Sequence, residues 1–157
     1  MKFRKEVQEQ FKKAGWYEGR NLQKKFDKIK NFKELPSFLK EFLYEYGDLL
    51  VQTYDPEKKF NATFNLKAVP RKKLKIRSYL AGPNLPGNIL TFPVGEYQQS
   101  HYPYTIECDK MGAIYLIGEF PAKFETNFKE GIEKIMMEDH SDSLDWDEQN
   151  KVWIKNE

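Results

Sequence analysis

The sequence predicts an α+β fold, with N-terminal helices and a C-terminal helix packed on a mostly antiparallel sheet. Apolar residues recur at the helical interval near the start and again at residues 124–136, and between these lie stretches that alternate apolar and polar residues with a period of two. Short turn sequences such as Lys110-Met111-Gly112 join neighbouring stretches, which favours hairpins over long parallel crossovers. A chain of 157 residues buries roughly two thirds of its unfolded surface, enough for one core without staples.

Taken in order, Phe3, Val7, Phe11 and Ala14 share one face of a first helix, with Lys, Glu and Gln between them. Gly15 sits where a helix end needs a left-handed residue, which makes Trp16 and Phe11 the pair that closes the turn. Gly19 permits a second turn, and Asn21 can cap a short helix that groups Leu22, Phe26 and Ile29. Pro36 suits the first turn of a third helix, Phe38, Leu39, Phe42, Leu43 and Tyr46 form its wide apolar stripe, and Gly47 ends it. Leu49, Leu50 and Val51 begin a strand, Asp55-Pro56 turns the chain, and Phe60, Ala62, Phe64 and Leu66 line one side of the next strand.

Residues 67–88 are the least readable: a short helix around Arg71 to Leu80 is expected, after which Gly82, Pro83, Pro86 and Gly87 force a loop. Residues 89–97 read as a strand that ends at Pro93-Val94-Gly95. Residues 104–109 and 113–120 form a hairpin, and Phe124, Phe128, Ile132, Ile135 and Met136 lie on a last amphipathic helix. From Glu138 the chain is acidic, with Trp146, Val152, Trp153 and Ile154 as its large apolar groups.

Net charge is +2, but residues 1–80 hold 20 Lys and Arg against 10 Asp and Glu, whereas residues 81–157 hold 6 against 14. The halves either complement each other on folding or present two faces of opposite sign. The first residues contain no apolar run of the kind a secretion signal needs, and no stretch is long enough to span a bilayer, so a cytoplasmic location and no membrane partner are expected. Cys108 stands alone, which excludes an intrachain disulfide and a cysteine-cluster zinc site and reads as a packed strand residue.

The chemistry of an enzyme is hard to assemble from this chain. His101 and His140 lie in no metal-ligand spacing, and the glycines form neither a dinucleotide nor a P-loop pattern. Nothing fixes two carboxylates at a working distance. No catalytic, cofactor or metal site is therefore expected. Two stretches point to binding instead. Arg71 to Arg77 is a dense basic run with Tyr79 beside it, read as a solvated edge, with phosphate binding as the alternative. Residues 95–105 gather Tyr97, His101, Tyr102 and Tyr104 around Gln98, Gln99 and Ser100 between two strands. Tyrosine suits interfaces because it offers area and a hydrogen bond at low entropic cost, although Tyr102 and Tyr104 could equally face the core.

Several segments occur in the order and spacing of a known family. Residues 11–22 (FKKAGWYEGRNL), 42–51 (FLYEYGDLLV), 89–97 (ILTFPVGEY), 104–120 (YTIECDKMGAIYLIGEF) and 128–136 (FKEGIEKIM) resemble the SUKH superfamily of bacterial immunity proteins, most of all its third subfamily. The likeness runs from Phe11 to Met136, and its most specific element is Gly15, Trp16, Gly19 and Arg20, supported by Gly47, Pro93 and Gly95. The chain departs from the pattern in having Gly47-Asp48 where two glycines are common, a Pro-rich stretch at 69–88 where a helix is usual, and an acidic extension after Met137. Residues 1–137 are thus expected to form the SUKH-like domain and 138–157 an acidic C-terminal extension.

The resemblance implies a binding protein, encoded beside a polymorphic toxin, that protects its producer by occluding the cognate toxin domain, often a nuclease or a nucleic-acid deaminase. If the toxin's groove is basic, the acidic half supplies the decoy: Glu96, Glu107, Asp109 and Glu119, or Asp142, Asp145, Asp147 and Glu148. Glu96, Tyr97, His101, Tyr102, Tyr104, Asp145, Trp146 and Asp147 are the expected toxin-binding residues. Trp16 and Arg20 are expected to hold the fold, the guanidinium reaching carbonyls or a carboxylate such as Glu96. The rival reading is a nucleic-acid-binding or regulatory module that uses Arg71 to Arg77, although nucleic acid is the disfavoured partner.

Overall fold

A computed structural model describes residues 1–59, 62–67, 77–78 and 90–155. Three helices come first: α1 (Lys5–Ala14), α2 (Gln23–Phe26) and, after a 3-10 turn at Phe32–Glu34, α3 (Ser37–Tyr46). The strands are β1 (Leu50–Gln52), β2 (Ala62–Asn65), β3 (Arg77–Ser78), β4 (Leu90–Gln99), β5 (Tyr102–Cys108), β6 (Ile114–Ile117) and β7 (Ala122–Phe124); α4 (Phe128–Met136) follows, and β8 (Leu144–Asp147) and β9 (Val152–Lys155) close the described chain. The sheet is an antiparallel meander in the order β1-β2-β4-β5-β6-β7-β8-β9, with β3 paired to the first two residues of β4. The α+β expectation holds.

α1 closes as its sequence dictates. Gly15 takes a left-handed backbone (φ 120°), its N–H donates to the Lys12 carbonyl, and the Trp16 N–H donates to the Phe11 carbonyl at 2.9 Å. The indole then stacks on Tyr46 (ring centroids 5.8 Å apart, planes 7° apart) and donates from Nε1 to Glu45. Tyr46, Phe3, Phe11 and Phe42 pack ring on ring, and the Tyr46 hydroxyl donates to the Met1 carbonyl. Arg20 donates from Nη1 to the Glu45 carbonyl at 2.7 Å. A carbonyl is therefore its partner, while Glu96 stands exposed on β4.

The stop at Gly47 has a different cause from the one expected. Gly47 is extended (φ −62°), and the left-handed residue is Asp48 (φ 61°), whose carboxylate pairs with Lys25 at 2.5 Å. Glycine is needed at 47 because a Cβ there would lie 2.4 Å from the Leu43 carbonyl oxygen and 2.5 Å from the Phe26 ring.

Four further expectations are corrected. β4 does not end at Gly95: its register on β5 slips between Pro93 and Gly95, and the strand runs on to Gln99, a bulge that accommodates a residue with no N–H. Residues 95–105 are accordingly not a loop but the ends of β4 and β5 with a tight turn at Ser100-His101, where Ser100 is left-handed (φ 51°). Phe124 belongs to β7, and α4 starts later, at an Asn127 cap whose side chain accepts from the Glu130 N–H. Arg77–Ser78 is a strand, not helix; the rest of the basic run Arg71 to Arg77, like Phe60, lies outside the described residues.

The main core lies between the helices and one face of the sheet, from Phe3 and Val7 through Leu39, Phe64 and Ile106 to Ile132 and Met136. On the opposite face Tyr115 packs with Ala113, Ile117 and Trp153. The acidic segment joins this structure: β8 pairs with β7 through Ala122↔Asp145, and β9 pairs with β8 through Trp146↔Trp153. No helix among the described residues is long and apolar enough to cross a membrane.

Candidate protein-binding surface

The structure separates the expected site residues into those engaged within the fold and those left at the surface. Tyr97 belongs to the first group. Its ring is buried and its hydroxyl donates to Glu138 Oε2 at 2.6 Å, so burial and that carboxylate hold its phenol far above the usual tyrosine range. Glu138 also accepts from Thr53 Oγ1 at 2.6 Å. These bonds explain an otherwise costly backbone: Glu138 is left-handed (φ 55°) where α4 ends, with Glu138 N–H on the Ile135 carbonyl and Asp139 N–H on that of Lys134. The end of α4 at Met136 is legible in the sequence, but with no glycine there its left-handed closure and the role of Glu138 are not. His140 sits against the same knot, its ring beside Tyr97 and Phe124 and its Nε2 3.5 Å from Glu138.

Several decoy carboxylates are also engaged. Glu107 is buried and accepts from Thr91 and Thr105. Asp109 accepts from the turn amides of Met111 and Ala113 and from the Tyr115 hydroxyl. Asp142 pairs with Lys134, and Glu148 pairs with Lys151 while accepting from the Trp146 indole. Asp147 accepts from the Asn150 side chain and from the amides of Asn150 and Gln149; these bonds hold its carboxyl below the usual aspartate range, and it forms no ion pair among the described residues. Among the described residues, Glu96, Glu119 and Asp145 form neither an ion pair nor a side-chain hydrogen bond.

The second group converges on one end of the sheet. Tyr102 opens β5, and Thr105↔Ile117 pairing carries the chain round so that Phe120 meets it, ring centroids 5.8 Å apart and edge-to-face. Beyond the turn, the Trp146 N–H reaches the Pro121 carbonyl at 3.4 Å, which brings Trp146 and Asp147 alongside Pro121 and Phe120. Tyr102, Glu119, Phe120, Asp145, Trp146 and Asp147 thus form one acidic and aromatic end. His101 is exposed at the adjoining turn, and Tyr104 is half-buried, its ring tilted on Tyr97. Glu96 lies further along β4. Phe120 is not singled out by the sequence, where it only closes the second arm of the 104–120 hairpin; its exposure comes with the bend at residues 118–120.

Cys108 is buried on β5, and burial pushes its thiol well up, as a packed strand residue requires. Among the described residues no group of three or more His, Cys, Asp or Glu side chains is placed to hold a metal ion.

A layer of helices on an antiparallel meander, with charged and aromatic groups at one end, defines an α+β protein. The chain belongs to the SUKH-3 immunity protein family, whose model matches residues 3–138. Its general role is thus immunity, with a toxin protein as the class of partner. β8 and β9 lie beyond the matched residues. No curated protein and no solved structure matches the chain.

Proposed function

We propose that the chain neutralises one cognate toxin domain by stoichiometric occlusion, and that the toxin acts on nucleic acid as a nuclease or deaminase. A site built for phosphates is basic, so an acidic surface pressed against it excludes the substrate by charge as well as by bulk. The observation that carries this reading is the acidic and aromatic end, where Glu119, Asp145 and Asp147 lack cationic partners among the described residues. Such an interface needs to bury about 1,200–2,000 Å² around a few anchors and requires no catalytic group of its own. The acidic extension 138–157 is part of the surface in this reading, since β8 supplies Asp145, Trp146 and Asp147.

Co-expression with the toxin domain encoded beside this gene tests the proposal. Survival together with a co-purifying one-to-one complex, whose association rate falls steeply with added salt, is the expected result. Death of the co-expressing cells, with no complex recovered, would contradict it.

A further inference from the structure

Resting on the proposed toxin binding, we infer that Phe120, braced by Tyr102, is the principal anchor of the interface, and that it enters an apolar pocket on the toxin rimmed by Lys or Arg. Phe120 is 62 % exposed and Tyr102 42 %, an unusual placement for two rings already in contact with each other. Scattered exposed apolar residues are ordinary, but a rigid aromatic pair within a charged rim has the make-up of a binding hot spot.

The turn that carries the ring is closely packed. At Gly118 a Cβ would lie 2.6 Å from the Tyr104 ring and 2.8 Å from the Pro103 carbonyl oxygen, so the turn that carries Phe120 is pressed onto β5. On the other side the Trp146 N–H reaches the Pro121 carbonyl at 3.4 Å. A ring held in place before binding loses little freedom on docking.

The surroundings choose the occupant. Glu119 precedes Phe120 in the chain and Asp147 follows Trp146, whose N–H reaches the Pro121 carbonyl; neither carboxylate is paired with a cation among the described residues. A nucleic-acid backbone is repelled by those charges. A second copy docking by the same patch would bring one acidic rim against another, a like-charge contact that disfavours it. A protein pocket that is apolar inside and cationic at its rim meets both the ring and the carboxylates.

The test titrates the full chain and its variants against the neighbour-encoded toxin domain, with melting temperature measured in parallel. Phe120→Ala is expected to weaken binding at least about thirtyfold, mostly through faster dissociation, with an unchanged melting temperature. Tyr102→Ala is expected to have a smaller effect of the same kind, and Glu119→Gln to slow association at low salt while changing affinity little. Wild-type affinity in Phe120→Ala would overturn the anchor and leave the immunity reading intact. Failure of the wild-type chain itself to bind would overturn both. Concentration-dependent dimerisation that Phe120→Ala abolishes would assign the ring to a second copy and also overturn the proposal.

Discussion

The corner around Trp16 and the end around Phe120 are both built from aromatic rings, yet they do opposite things. At the corner, Trp16, Tyr46, Phe3, Phe11 and Phe42 are all buried, and each polar handle of the tyrosine and indole is satisfied from within, by Met1, Gln8 and Glu45. Around Phe120, this ring and Tyr102 pack edge-to-face and stay exposed, near carboxylates that lack cationic partners among the described residues. An aromatic-rich composition therefore says nothing about whether rings serve folding or recognition. The discriminating feature is whether the neighbouring polar groups are satisfied inside the chain or left for a partner.

Trp16→Ala should give the largest difference between the two regions. It removes a buried indole and its stack on Tyr46, so unfolding free energy should fall by about 3–5 kcal/mol, measured by denaturant titration, with toxin affinity of the remaining folded protein unchanged. Arg20→Ala sharpens the contrast with less violence. Loss of its bond to the Glu45 carbonyl should cost about 1–2 kcal/mol, again without weakening the toxin complex. Weakened binding at full stability would move Arg20 from the fold to the interface.

The smallest effect concerns pH. Burial, then the hydrogen bond to Asp27, pushes the Tyr44 phenol up to about 12, and burial raises those of Tyr46, Tyr97 and Tyr115 further. A raised folded value means that the unfolded chain gives up the proton first. The stabilisation is therefore complete below the unfolded value near 10 and is lost as pH rises from there through the folded value, about 12 for Tyr44. Tyr44→Phe should show a shallower loss of stability between pH 10 and 12; an identical slope would exclude this phenol as a source of alkaline sensitivity.

Much of the corner was legible because local chemistry decides it. Gly15 and Trp16 close α1 through backbone bonds that span only a few residues, and the stripe from Phe38 to Tyr46 has room for one reading. Where distant parts decide, the sequence misled. The steric cause at Gly47 depends on Phe26, and the left-handed Glu138 depends on Tyr97 and Thr53, 41 and 85 residues away. The same holds for the candidate site. Tyr97 and Tyr102 look alike in sequence, but strand register buries one under Glu138 and leaves the other at a sheet end. Phe120 gained its exposure from a turn whose tightness rests on Gly118 meeting Tyr104.

The most direct measurement is hydrogen exchange on the full chain, alone and bound to the neighbour-encoded toxin domain. Slowed exchange on binding at residues 100–104, 117–121 and 144–148, with no change at residues 14–22, is the predicted result. Slowed exchange at the Trp16 corner, with the Phe120 end unchanged, would contradict the division of labour between the two aromatic groups.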